Sequence, residues 1–103
     1  MRMNRKRYVL FKLHRKGSKV TGKQLSTALW NSMLSLFGEV STSDSRLFID
    51  EEYNEDTGIG FLQCNAASLN NVLAAAAVID TIGKTKVSFQ SKKTSGTIKG
   101  LRK

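Results

Sequence analysis

Residues 46–64 read RLFIDEEYNEDTGIGFLQC, and their pattern governs the fold. The two ends of this segment, residues 46–50 and 59–64, are rich in apolar and aromatic side chains, which is typical of strands. The polar run between them, Asn54-Glu55-Asp56-Thr57-Gly58, collects residue types that favour turns. The segment therefore predicts two consecutive strands in the middle of the chain.

A helix is predicted before these strands. From Thr21 to Phe37 apolar residues recur at spacings of three and four, the period of an amphipathic helix, and Gly38 is the expected C-cap. Trp30 and Leu34 lie off the main apolar stripe, so they either rest on the sheet edge as core or form a docking surface for another subunit. The stripe itself consists of Leu25, Leu29, Met33 and Leu36.

A second helix is predicted after the strands. Asn65 or Ser68 is expected to cap it, and the helix is expected to run to Ile82 and to be closed by Gly83. Its apolar face consists of Leu69, Val72, Leu73, Ala76 and Ile79.

Two further strands are predicted near the ends of the chain, over residues 7–14 and 84–91. The order β-α-β-β-α-β is that of the split, ferredoxin-like or RRM-like plan: an α/β (α+β) two-layer sandwich with a four-stranded antiparallel sheet. In the usual form of this plan the first and fourth strands are neighbours, and both helices cover one face. We assign residues 1–93 to this domain and residues 94–103 to a basic tail that belongs to it.

The charges are strongly segregated along the chain. All eight acidic residues lie between Glu39 and Asp80, whereas residues 1–23 and 84–103 are basic and contain no acid. If the first and fourth strands are neighbours, the basic ends form one electropositive region, which predicts a polyanion as the partner. Nucleic acid suits the net charge of +9 best, and an anionic membrane surface is the weaker alternative. No segment is long and apolar enough to span a bilayer.

The alternation of side chains along the strands predicts which residues face a partner. Val9, Phe11 and Leu13, with Val87 and Phe89, are expected to point toward the helices. The opposite, open face mixes aromatic and basic side chains, which suits RNA by base stacking and phosphate binding. Alternatively, a partner protein or a terminal helix covers its apolar groups. The expected open-face residues are Tyr8, Leu10, Lys12, His14, Arg46, Phe48, Ile59, Phe61, Gln63, Lys86, Ser88 and Gln90.

Catalytic residues are scarce. His14 and Cys64 are the single histidine and cysteine, so no Cys/His/Asp arrangement or tetrahedral metal site is expected within one chain, and no cofactor. The acidic run from Asp50 to Asp56 is interpreted as a solvated loop. A single cysteine excludes an internal disulfide and indicates a reducing compartment, so we expect a cytoplasmic protein. The apolar run after the basic start is too short for a signal peptide because Lys12 interrupts it.

The last nine residues, Ser95-Gly96-Thr97-Ile98-Lys99-Gly100-Leu101-Arg102-Lys103, resemble the C-terminal signature of the ribonuclease P protein component 2 family. Residues 5–12, 28–39, 46–47 and 58–64 resemble the family's first strand, first helix, second strand and third strand, in that order. Because the chain stops at Lys103 without an acidic extension, it resembles the archaeal members.

The resemblance implies an accessory subunit rather than an enzyme in its own right. Such subunits activate the catalytic RNA of ribonuclease P, which removes 5′ leaders from precursor tRNA with Mg²⁺ ions bound by RNA and substrate. They pair with a larger, barrel-shaped protein subunit, commonly as a heterotetramer of two and two, and meet precursor tRNA only indirectly. Expected RNA contacts are Arg5, Lys6, Arg7, Lys12, Lys84, Lys86, Lys99, Arg102 and Lys103, and expected protein contacts are Trp30, Leu34, Leu10, Phe48 and Phe61.

Other classes of function remain open. A ribosomal or other ribonucleoprotein component of the same fold would bind RNA but lack the tail signature. A protein-interaction module would use the open sheet face as its dock. A small phosphate-ester hydrolase of this fold would need an anion-cradling loop after the first strand, and Gly17-Ser18-Lys19 is a poor match to one.

Overall fold

The computed structural model describes residues 5–97. Within them, five strands form one antiparallel sheet in the order β2-β3-β1-β5-β4, and two helices pack on it. The α+β class is confirmed, but the sheet has five strands rather than the predicted four. Neither helix in this part of the chain is long and apolar enough to cross a membrane. The elements are β1 Lys6–Lys16, α1 Gly22–Ser45, β2 Phe48–Ile49, β3 Ile59–Asn65, a 3₁₀ turn Ala66–Ser68, α2 Leu69–Ala77, β4 Thr81–Ile82 and β5 Thr85–Ser95.

Helix α1 begins with a capping box and continues past its predicted end. Thr21 Oγ1 accepts from the backbone N–H of Gln24 at 3.0 Å, and the Gln24 side chain accepts from the Thr21 N–H at the same distance. Gly38, with φ +84°, kinks the helix instead of ending it, and the true C-cap is Arg46 in the left-handed conformation. Residues 39–45 stay helical, and their buried Thr42 donates its hydroxyl to the Gly38 carbonyl at 2.7 Å.

The predicted apolar stripe of α1 is right at three positions and wrong at the fourth. Leu25, Leu29 and Met33 are buried, whereas Leu36 is 48% exposed. Phe37 packs against the core in its place, because the stripe advances by four residues at each step from Leu25 onward.

Helix α2 ends at Ala77, well before the predicted end at Ile82. Residues 81–82 form the additional strand β4, which pairs with the start of β5 across a turn at Gly83, where φ is +63°. Gly83 therefore makes a hairpin turn and does not close the helix. The β-branched residues 78–79 have lower helix propensity, and pairing with β5 buries Ile82, so the chain leaves the helix early. Neither of the two predicted caps bonds the start of α2 through its side chain.

The core lies between the two helices and one face of the sheet. Val9, Phe11 and Leu13 of β1 are buried on that face, as predicted. The Phe11 ring stacks on Phe89, with ring centroids 4.9 Å apart, and on Tyr53, at 5.9 Å. Because side chains alternate along a strand, the even-numbered residues of β1 point the other way. That uncovered side of β1, β2, β3 and β5 is called the open face below.

Candidate nucleic-acid interface

The two basic ends of the chain meet in the sheet. β1 pairs with β5 in antiparallel register from Tyr8 opposite Ser95 to Lys16 opposite Lys86. β1 carries five lysine and arginine side chains, β5 carries three, and neither strand carries a carboxylate. The prediction that the first and last strands are neighbours is confirmed, so charges that are far apart in sequence form one surface.

A bulge in β5 directs one of these cations outward. The register shifts between Leu10 and Phe11, so that Leu10 lies opposite Lys93 while Phe11 lies opposite Ser91. An unbulged ladder would place Lys93 opposite the buried Val9, where its charge would be desolvated. The open-face cations of β1 and β5, which we call the basic strip, are therefore Lys6, Lys12, Lys16, Lys86 and Lys93.

At one end of the strip, the start of β1 lies beside the start of the tail signature. Arg7 donates through Nη1 to the Lys6 carbonyl at 3.1 Å, and a Cβ on Gly96 would lie 3.4 Å from the same Nη1 atom. Arg5 is exposed, and its carbonyl accepts from the Ala66 N–H at 2.7 Å. The remaining predicted contacts of the tail lie outside the described residues, namely Lys99, Arg102 and Lys103.

The other predicted RNA-binding residues lie farther along the strip. Lys12 is half-buried in the middle of β1, between Ile59 of β3 and Gln90 of β5. Lys84 occupies the turn between β4 and β5 and is not in a strand, and Lys86 follows it at the far end of the sheet. Lys6 and Lys16, at the two ends of the strip, are about 34 Å apart, because ten residues of strand separate them. Lys6, Lys12 and Lys86 therefore lie along one elongated surface, whereas Arg7 lies opposite the buried Cys64, on the other side of the sheet.

Two cations of the strip were missed by the sequence reasoning. The predicted first strand stopped at residue 14, and the predicted fourth strand stopped at residue 91. The structure extends them to Lys16 and Ser95, so that Lys16 and Lys93 join the open face. The signal available in the sequence was the continued absence of turn residues after each predicted end.

Four large apolar side chains also lie on the open face. Phe48 of β2 is 45% exposed and Ile59 is 40% exposed, while Leu10 and Phe61 lie opposite each other across β1 and β3. We call these four residues the apolar patch. Three of the four patch residues lie on β2 and β3, and the patch adjoins the basic strip at Leu10 of β1.

The two predicted protein-contact residues of α1 lie in the helix layer, apart from the apolar patch. Trp30 is half-buried, and its Nε1–H donates to the Leu47 carbonyl at 3.2 Å, which holds α1 against the start of β2. Leu34 is 41% exposed. The five predicted contacts therefore belong to two separate surfaces.

The acidic loop before β3 is held by cations at its edge. Lys19 forms an ion pair with Asp56, and this hydrogen bond and charge keep the pKa of the Asp56 carboxyl below its usual value. Arg15 donates to the carbonyl oxygens of Glu55 and Asp56 at 3.4 and 3.3 Å. Within residues 5–97 no three His, Cys, Asp or Glu side chains come together in a way that could hold a metal ion.

A small α+β protein with a long cationic strip on one sheet face belongs to a class suited to nucleic acid. The sequence model of the Rpp14/Pop5 family matches residues 7–103, and this chain belongs to that family. Over 101 residues it is 34% identical to ribonuclease P protein component 2 of Archaeoglobus fulgidus, covering 97% of this chain and 87% of that protein. The family resemblance stated above is thereby confirmed.

A solved structure shares the fold. A chain in the cryo-EM structure of yeast ribonuclease MRP superposes with a TM-score of 0.70, over 94% of this chain and 78% of that chain. The sequence identity is 8%, so this likeness concerns the fold alone.

Proposed function

We propose that this chain is a protein subunit of ribonuclease P that binds the catalytic RNA through its basic strip and activates removal of 5′ leaders from precursor tRNA. Membership of the Rpp14/Pop5 family and the likeness to a ribonuclease P protein support this function. The main structural support for the RNA contact is the pairing of β1 with β5, which brings the two basic ends of the chain together.

The mechanism is electrostatic. Cations of the strip replace counterions along the RNA backbone, and this lowers the free-energy cost of bringing RNA helices together. The acidic residues lie on α1, in the loop before β3 and before β4, outside β1 and β5. RNA is therefore oriented along one face of the protein. Five phosphate contacts would give a slope of log affinity against log salt of about −3.5 to −4.5, with the coefficients of single strands and of duplex DNA as bounds.

The apolar patch is the proposed dock for the barrel-shaped protein subunit, in a heterotetramer of two and two. An exposed apolar patch of this kind marks a surface that another molecule covers or binds.

The order of β1, β2, β3 and β5 in the sheet supports a ferredoxin-like core to which β4 is an addition. Mg²⁺ is held by RNA and substrate, precursor tRNA is met indirectly, and the single free Cys64 accords with a cytoplasmic location.

Reconstitution tests the proposal. An archaeal-type ribonuclease P RNA and the barrel subunit are assayed for precursor-tRNA cleavage at limiting Mg²⁺, with and without this chain. We expect stimulation by the chain and a lower Mg²⁺ requirement. Equal cleavage with and without it would refute the function.

Charge variants test the RNA contact. Lys6→Gln/Lys12→Gln should weaken RNA binding and flatten its salt dependence, whereas Lys23→Gln, an exposed lysine of α1, should change neither. Truncation after Thr97 removes the signature cations but leaves β5 whole, so it should weaken RNA binding without unfolding the domain. Equal loss in the Lys23 control would mean that net charge alone drives binding.

A further inference from the structure

A cleft lies at the end of the sheet far from the tail signature. Its volume is about 340 Å³, and it opens where β1 ends and β5 begins. Three of the lining residues are lysine or arginine, one is histidine, and none is acidic. The cleft is lined by His14, Arg15, Lys16, Lys86, Val87 and Ser88.

Two like charges face each other in this cleft. Lys16 and Lys86 are direct partners across β1 and β5, an arrangement that destabilises a sheet when nothing compensates it. Neither lysine forms an ion pair within residues 5–97. Asp56, in the adjoining acidic loop, is paired with Lys19 and not with either of these lysines. An anion between the two ammonium groups would turn this repulsion into attraction.

Two other side chains that line the cleft, those of His14 and Arg15, are held in place by hydrogen bonds. His14 lies opposite Ser88, and its Nε2 is hydrogen-bonded to Gln90 Oε1 at 2.7 Å, which holds the ring. The Arg15 guanidinium is held by two carbonyl oxygens of the acidic loop. Ammonium groups and a hydroxyl without a competing carboxylate match the acceptor oxygens of a phosphate.

We propose that this cleft is a phosphate-binding site, in which Lys16 and Lys86 clamp one backbone phosphate of RNA and the Ser88 hydroxyl donates to one of its oxygens. The proposal rests on the proposed RNA-binding function and adds an anchor that the family signature does not contain. About 27 Å of strand separates this anchor from the start of the signature at Ser95. Two anchors at this distance fix the direction of the RNA on the protein, which a single basic tail cannot do.

Titration with inorganic phosphate tests the site without RNA. Backbone amide NMR signals of the full chain are followed during addition of sodium phosphate, with sodium chloride at equal ionic strength as the reference. We expect phosphate-specific shifts at residues 14–16 and 86–88, and their loss in Lys16→Gln/Lys86→Gln. Shifts that chloride reproduces, or that are spread evenly over all exposed lysines, would overturn the site.

RNA binding separates this proposal from the function on which it rests. Lys16→Gln and Lys86→Gln should each reduce the magnitude of the salt slope by about 0.7 to 0.9, and the double variant should bind RNA about tenfold more weakly at moderate salt. Lys23→Gln is the control of equal charge change for each single variant. Because a like-charge pair is removed, thermal stability of the free variants should not fall, so misfolding cannot explain a loss. If the salt slope of the double variant equals that of the wild type, the phosphate site is refuted but the proposed function is not. If the wild-type chain does not bind RNA at all, the proposed function itself is refuted.

Discussion

The backbone N–H of Leu13 donates to the carbonyl oxygen of Gly58 at 2.7 Å, and the Leu13 carbonyl oxygen lies where a Cβ on Gly58 would overlap it. Gly58 also has φ +75°, which L side chains rarely adopt. This contact fixes the acidic loop against β1, so that the loop ends beside Arg15 and the cleft. Glycine is therefore required at position 58 for two reasons: the Leu13 carbonyl oxygen leaves no room for a Cβ, and the positive φ disfavours any other residue.

Gly58→Ala should lower the free energy of unfolding by about 3 kcal/mol or more, since strain and overlap act together. Gly83→Ala is the matched control, because φ there is +63° but nothing lies within 4 Å of the added Cβ. The control should lose only about 1 kcal/mol. Urea denaturation of both variants measures the difference, and equal losses would contradict the role of the Leu13 contact.

The capping box of α1 makes a smaller, separable contribution. Thr21→Ala should cost about 1 kcal/mol of stability, because the Gln24 N–H loses its acceptor. Thr27→Ala, at an exposed position inside the same helix, should be neutral or slightly stabilising, since alanine favours helix. Thermal melts followed by circular dichroism compare the two, and a Thr21 variant as stable as the Thr27 variant would speak against the cap.

Burial raises the pKa of the Cys64 thiol from 9.0 to about 11. The folded state then holds its proton where the unfolded state has lost it, so this contribution to stability is complete below pH 9 and disappears as the pH rises through 11. The stability difference between wild type and Cys64→Ala should therefore shrink over that range. Denaturant titrations at several pH values measure it, and a constant difference would contradict the raised pKa.

Reactivity provides a second measure of the same thiol. At pH 8.5 iodoacetamide should alkylate native Cys64 about a hundredfold more slowly than the unfolded chain, because reaction requires the thiolate. Equal rates in both states would show that the thiol is accessible and ionised.

The apolar patch should bind protein rather than RNA. Phe48→Ser should weaken binding of the barrel subunit by about tenfold to a hundredfold and leave RNA affinity unchanged, since an apolar ring is lost without a change of charge. Val78→Ser, which alters a 60% exposed residue beyond α2, is the control and should affect neither partner. Calorimetry with the barrel subunit and with RNA separates the two, and a loss of RNA affinity alone would assign the patch to RNA.

Much of the fold could be predicted from the type and spacing of the residues. Alternation placed Phe11 and Phe89 inside and Phe48 and Phe61 outside, because side chains of a strand point to opposite faces whatever the tertiary context. The apolar period located α1 through Met33 for a similar reason. Its end could not be located, since Gly38 accommodates a kink within a helix as readily as a stop, and packing of residues 39–45 favours the kink.

The charge segregation and the order of the main elements were inherent in the amino-acid sequence, because both depend on residue type and spacing along the chain. Three features arose only when the strands paired. They are the extra strand β4, the bulge that directs Lys93 away from the core, and the opposition of Lys16 to Lys86. Each depends on the cross-strand register. The register brings together residues that are distant in sequence, and it decides which side chains are buried and which charges lie opposite each other. For this reason the sequence predicted a basic protein, and the tertiary structure decided where its charges meet.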